Sequence, residues 1–244
     1  MTDRQAEENR RRARTLVGAC LAAIALPVFL VLAVLGHPFV GLLAGVAVAT
    51  GVVAVAVTRA EATALAKAGA VPADPRDHAR FHNVVEGLSV AAGVPKPALH
   101  VIDDDALNAL TVGRDARHAS LAVTTGLLRA LSRIELEGVL AHELSHVRHL
   151  DILPSTLAVG LLGPVAPGLI PRVVEPRRED LADVTGVSLT RYPPGLISAL
   201  EKVRDHATGP RSTDRAIAHL WLEAPDRPTD RPPLEERIQA LREL

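Results

Sequence analysis

The sequence predicts an α+β chain in two parts: an N-terminal transmembrane helical hairpin, then a mostly helical domain with a small sheet. Three observations carry that reading. Two uninterrupted apolar runs, residues 16–35 and 39–57, open the chain, and each reaches the ~20 residues that a bilayer span needs. Beyond residue 76, stretches of helical periodicity alternate with short β-like runs bounded by Gly, Pro and Asp. Residues 132–149 then form one strongly specified helix whose last third carries two His and a Glu.

The hairpin turns at Gly36-His37-Pro38. A cleaved signal peptide does not fit, because the first apolar run is too long and a second follows at once. Gly18, Gly41, Gly45 and Gly51 are small residues that let the two spans approach. Arg4, Arg10, Arg11, Arg12 and Arg14 precede the first span, and Arg59 and Lys67 follow the second. Both flanks therefore belong on the positive, cytoplasmic side, so the rest of the chain is expected in the cytoplasm, on a multi-pass cell-membrane protein. Residues 59–76, Ala-rich and then broken by Pro72 and Pro75, read as a linker. Asp77 to Ala92 reads as a helix through Phe81, Val84, Val85 and Leu88, ended by Gly93-Val94-Pro95. Ala98–Ile102, Leu107–Val112 and Ser120–Val123 are strand candidates, and Asp103-Asp104-Asp105 is a solvated loop and cap between them.

Ser132-Arg133-Ile134-Glu135 has the form of a capping box, and Leu136, Val139, Leu140, Leu144 and Val147 follow at helical spacing. The apolar segment 152–174 contains Pro154, Pro164, Pro167 and Pro171. It is too short for two full spans, which need about 40 residues. One span would carry whatever follows it across the bilayer. A re-entrant or interfacial helical hairpin is the expectation. Leu181, Val184, Val187 and Leu189 then mark another helix.

Composition excludes some functions. Aromatic residues are 2% of the chain, with one Trp and one Tyr, and the net charge is −1. Neither a base-stacking surface nor a phosphate-binding field is expected, so nucleic acid is not an expected partner. The single Cys, Cys20, lies in the first apolar run and cannot form an intrachain disulfide.

The chemistry lies in His142-Glu143-Leu144-Ser145-His146. Two His four apart share a helix face and can hold one Zn²⁺, with Glu143 beside it to take a proton from water. Burying His142, Glu143 and His146 without a metal or other partners would be costly. A catalytic zinc site needs a third ligand. Ile152 stands where a metzincin would place its third His. His149 lies another turn along, too far to share the ion, and with Arg148 it reads as a solvated helix-end cation. Glu179 is the better candidate, with Asp183 one helical turn on and able to orient a ligand ring. Local context alone reads Arg177-Arg178-Glu179-Asp180 as an ordinary solvated helix start.

This motif, with Glu179-x-x-Ala182-Asp183 downstream, resembles the M48 zinc metallopeptidases: the HtpX-like membrane proteases and, more distantly, the CAAX prenyl endopeptidases. Asn108-Ala109-Leu110-Thr111-Val112-Gly113, Ala122–Leu128, Asp151, Ala218-His219-Leu220-Trp221 and Pro232-Pro233-Leu234-Glu235-Glu236-Arg237-Ile238 are similar to further stretches of that family. The resemblance implies a zincin-like metallopeptidase domain over 77–244, following a membrane hairpin at 1–58. It implies one Zn²⁺ per chain held by His142, His146 and Glu179, with Glu143 as the base and Asp183 behind a ligand. It also implies a polypeptide substrate, extended along the strand Leu121-Ala122-Val123-Thr124 in a groove lined by Asn108 and Ala109. Relatives often carry two spans near 152–174, so this chain appears shortened there. Two places depart from the family: Glu175-Pro176 replace its Ser-Arg, and Arg231 replaces the His of its His-Pro-Pro. Arg231 is either a cation for a developing oxyanion or a surface residue, and Tyr192 either a further oxyanion donor or a loop residue. The expected function is a membrane-bound zinc endopeptidase in membrane-protein quality control or processing. A non-cleaving, zinc-stabilised membrane adaptor is the alternative, against which the intact Glu143 speaks.

Overall fold

Long apolar runs free of helix breakers become long helices, and the first two elements show it. In the computed structural model, which describes residues 2–175, 177–206, 208–224 and 232–244, α1 covers Thr2–Val34 and α2 covers Pro38–Ala68. Both are long and apolar enough to cross a membrane. α1 passes through Pro27 unbroken, and Pro38 starts α2, where its missing N–H costs nothing. The two pack closely: a Cβ on Gly45 would lie 2.7 Å from the Ala25 carbonyl oxygen.

The expected linker at 59–76 is largely ordered. α2 runs on to Ala68 and is capped by Gly69 in the left-handed conformation, and β1 (Ala70–Pro72) follows. The Ala-rich stretch favours helix. Ala64 and Ala68 also bury themselves against the sheet, which fixes the continuation.

The sheet has the order β1-β2-β4-β3, with β2 at Ala98–Ile102, β3 at Ala109–Asp115 and β4 at His118–Thr124. β2 and β4 are parallel, and the other neighbours are antiparallel. Period-2 alternation sends Leu99, Val101, Leu121 and Val123 to one face, where they meet α3 (Ala79–Ala92) and α5 (Arg133–His149). Ile102, Leu110, Val112 and Ala122 go to the other face, under Ala64 and Ala68 of α2 and Val159 of α6 (Ile152–Leu162). The short α4 (Thr125–Ala130) leads from β4 into α5. Helices α7 (Arg178–Thr190) and α8 (Pro193–Asp205) pack on α5, and α9 (Leu234–Arg242) packs on α8 and α7.

Segment 152–174 is a bent unit: α6, a turn, and a 3₁₀ helix at Pro167–Arg172. α6 lies against α2, α1 and β3, so most of its first two turns are buried. The turn projects outward at Val165, which is 80% exposed. The acidic triplet is only partly solvated: Asp104 is buried and caps the loop by accepting the Ala106 N–H at 3.0 Å.

Candidate active site

α5 is fixed at its start by the predicted capping box. Ser132 Oγ accepts the Glu135 N–H, and the Glu135 carboxylate accepts the Ser132 N–H at 2.7 Å. Lys202 and Ser198 of α8 donate to the same carboxylate at 2.8 and 2.6 Å. Burial alone would raise the Glu135 carboxyl, but these donors outweigh it and hold the pKa at about 2. α7 crosses α5 at the motif because residue 186 is glycine: a Cβ there would lie 2.8 Å from the His142 nitrogen. That close crossing brings Glu179 and Asp183 to the two His.

His142, Glu143, His146, Glu179 and Asp183 are all buried. His142 Nδ1 lies 2.7 Å from Asp183 Oδ1, and His146 Nδ1 lies 2.9 Å from Asp151 Oδ2. With each Nδ1–H donated to a carboxylate, a neutral ring presents the bare lone pair of Nε2. The two Nε2 atoms face each other at 3.2 Å. Glu179 stands over the gap, with Oε2 3.4 Å from His142 Nε2 and Oε1 4.0 Å from His146 Nε2. One ligand atom from each of the three residues fits within 4.8 Å of the others. Nitrogens bound at about 2.0–2.1 Å to one tetrahedral Zn²⁺ lie roughly 3.3 Å apart, so the donor set fits that ion. Burial disfavours a charged His142, yet Asp183 and Glu179 hold its pKa up to about 9. The pocket therefore draws a cation to this spot.

The support of the ligands is more extensive than the sequence suggested. Arg237 is buried and grips Asp183 with two bonds of 2.7 Å, from Nε and Nη2. Burial would raise the Asp183 carboxyl, and this guanidinium, with His142, holds it at about 2 instead. Arg178 donates to Glu179 at 3.0 Å, to Ser155 Oγ at 2.8 Å and to the His219 carbonyl at 3.0 Å. Thr111 of β3 donates its hydroxyl to Glu143 Oε2 at 2.6 Å.

Several sequence expectations are corrected. Arg178 and Glu179 are buried, whereas Arg177 and Asp180 are exposed, so the α7 start is not uniformly solvated. His149 is buried too, its Nε2 3.3 Å from Thr185 Oγ1 and its carbonyl accepting from Asn9 of α1. It is not a solvated cation: burial holds its pKa below the ordinary value. Leu121-Ala122-Val123-Thr124 cannot take up an extended chain, because β4 is internal, paired with β2 on one side and β3 on the other. Asn108 and Ala109 are buried and occupied. Ala109 O accepts the Leu222 N–H at 2.8 Å, and Asn108 exchanges two bonds with the Glu223 backbone at 2.7 and 3.2 Å. The sheet edge at the site is β3, where Trp221 also forms a bridge with Leu110. Tyr192 precedes α8, half exposed, beside Gly195, which packs on Ile134 at the far end of α5 from His142. Arg231 lies outside the described residues.

Of the residues the sequence reading passed over, Asp151 and Arg237 were visible only as positions in family-like stretches. Thr111 likewise stood only as a position in the family-like stretch Asn108–Gly113.

The pattern of peptidase family M48 matches residues 75–170, which include the H-E-x-x-H helix but stop short of Glu179. The chain is 35% identical over 239 residues to a protease HtpX homolog of Thermoanaerobacter pseudethanolicus, covering 78% of this chain and 80% of that one. It is 35% identical over 226 residues to the protease HtpX homolog of Tropheryma whipplei, covering 74% and 78%. No solved structure matches the chain. Identity at that level over four-fifths of a relative, with an H-E-x-x-H helix facing a buried Glu, makes this chain an HtpX-like member of peptidase family M48.

Proposed function

We propose that this peptidase is a zinc-dependent endopeptidase, anchored in the cell membrane by α1 and α2, with its site on the cytoplasmic side. We further propose that it acts on membrane proteins in quality control or processing. The observation that carries the zinc reading is the pair of imidazole Nε2 atoms 3.2 Å apart beneath Glu179, a spacing that suits two nitrogen ligands of one Zn²⁺. His142, His146 and Glu179 would hold Zn²⁺, one per chain. Bound there, Zn²⁺ would acidify water and polarise the scissile carbonyl.

The chain's own groups do the rest. Glu143 takes a proton from the attacking water and hands it to the leaving amine. Thr111 donates to Glu143 Oε2, and Oε1 is the oxygen we assign to the attacking water. Asp183 and Asp151 fix both rings in the Nε2-ligating tautomer. Four buried carboxylates, on Glu143, Asp151, Glu179 and Asp183, face two guanidinium groups, on Arg178 and Arg237. β3, the edge beside the motif, is where an extended polypeptide would add backbone to backbone.

The test compares purified variants for zinc content and for cleavage of an unfolded protein. Glu143→Gln should keep zinc and lose cleavage. Glu179→Ala should lose both, and Asp183→Ala should fall about 10- to 100-fold in zinc affinity. Cleavage by Glu143→Gln at the wild-type rate would end the endopeptidase reading.

A further inference from the structure

At the seam between α1, α2 and the end of α6 lies a groove of about 600 Å³, walled almost wholly by apolar side chains. Its floor on α2 is the stripe Val52, Val55, Ala56, Arg59, Thr63, one helix face repeated at three- and four-residue steps. At 1.5 Å per residue that stripe runs roughly 16 Å. Its deep end, lined by Val52 of α2 and Ile24 of α1, lies inside both candidate spans. Its shallow end carries Arg59, exposed and without an ion pair among the described residues, and the Thr63 hydroxyl. The third wall exists because Gly160 lets α6 touch α2: a Cβ there would meet the Ala56 carbonyl oxygen at 2.5 Å. Beyond Gly160, Pro164 and the 80%-exposed Val165 close the side of the groove.

We propose that this groove binds one anionic phospholipid of the cytoplasmic leaflet, its phosphate on Arg59 and Thr63 and one acyl chain along Val52 and Ile24. The inference rests on the membrane reading above, which sets Arg59 at the cytoplasmic boundary. Charge and polarity favour that occupant over others. A single unpaired guanidinium at the end of an apolar trough matches a ligand with one phosphate and a long hydrocarbon tail. A purely apolar transmembrane peptide would leave Arg59 without a partner. A water-soluble phosphate would leave the trough bare.

The lipid would bridge α2 and the α6 turn. α6 continues into the active site, where Ser155 accepts from Arg178, so the bound lipid would also steady the helix behind Glu179.

Native mass spectrometry of the full chain in neutral detergent tests this. Phosphatidylglycerol and phosphatidylcholine with identical acyl chains, sn-glycerol 3-phosphate, and an uncharged transmembrane peptide are titrated separately. One phosphatidylglycerol per chain should bind about tenfold tighter than phosphatidylcholine. Arg59→Gln should remove that preference, Arg59→Lys should keep part of it, and Val52→Trp should block the trough for both lipids. The control Arg76→Gln, on a distant exposed turn, should change nothing.

An Arg59→Gln chain that still prefers phosphatidylglycerol overturns the proposal. So does glycerol phosphate binding as tightly as the lipid, or the peptide binding to the wild type in its place. If Val52→Trp does not fold, the Arg59 pair decides alone. A reporter fused after Arg59 separates the two readings. Outside the cell, it sinks the membrane reading. Inside, with Arg59→Gln indistinguishable from wild type, only the lipid site fails.

Discussion

At the scale of single residues, the site is a stack of buried polar groups, each satisfied by the next. Thr111 is the outermost support of the base. Its hydroxyl reaches Glu143 from a strand, not from α5, so the proposed base is held by both layers of the domain. Thr111→Val keeps the shape and deletes the donor. We expect zinc content unchanged, KM little altered and kcat down about tenfold, the worth of a charge-assisted hydrogen bond. Thr111→Ser should restore most of the rate. A Val variant with full kcat would remove Thr111 from the mechanism. Arg237 supports the ligands from behind. Removing one partner of a buried pair leaves an uncompensated charge and costs about 3–5 kcal/mol. Arg237→Met should therefore lower the apparent melting temperature more than any exposed Arg→Met, and loosen zinc through Asp183. Retention of both stability and zinc affinity would show that Asp183 does not depend on it.

At the scale of elements, legibility followed the range of the interactions. The α5 capping box, the α3 helix and strand β2 were readable because each is fixed by residues within a turn or two of one another. The strand order was not. β2 and β4 pair in parallel across the crossing β3, a long-range choice that a list of strand candidates does not contain, and it moved the edge from β4 to β3. Arg237 meets Asp183 across 54 positions, so no local pattern announces it. Arg178 was hidden by charged neighbours that stay in water while it turns inward. The α5 cap also yields a pH expectation. Glu135 has its pKa held at about 2 against an ordinary 4.5, so its ionised form is favoured by folding. That contribution is complete above about pH 4.5 and is lost as pH falls through 2. Glu135→Gln should lower the melting temperature at neutral pH, with the gap to wild type closing in acid. A gap that stays constant down to pH 2 would show that the carboxylate charge is irrelevant to the cap. Ser132→Ala, at the same cap, should cost about 1 kcal/mol.

At the scale of the whole molecule, α1 is more than an anchor. Its first turns reach past the hydrophobic run, and Asn9 donates to the His149 carbonyl at the end of the zinc helix at 3.0 Å. Arg12 pairs with Glu175, just ahead of α7. The α1–α2 hairpin and the rest of the chain thus share polar contacts at the ends of the two elements that carry the clustered residues. Reporter fusions check the topology behind this picture: one at the N-terminus and one after Arg59 should lie in the cytoplasm, and one near His37 outside. An external Arg59 fusion would contradict the positive-inside argument.

The strand-like segment Trp221–Glu223 has a kinetic consequence. It holds the rim of the sheet at Ala109 and Leu110, so on the proposed β3 docking mode a substrate would have to exchange with it. The exchange begins from a closed form, and apparent affinity is the intrinsic affinity divided by the rarity of the open one. If closure is favoured by about 1.4 kcal/mol, nine-tenths of the molecules are shut at any instant and encounters with folded neighbours are mostly wasted. On the proposed function, a polypeptide that offers a long, unpaired stretch, and lingers near the bilayer surface long enough to meet the rare open form, would be the one cut efficiently. Selectivity for disordered tails next to a membrane would then follow from waiting time instead of side-chain recognition.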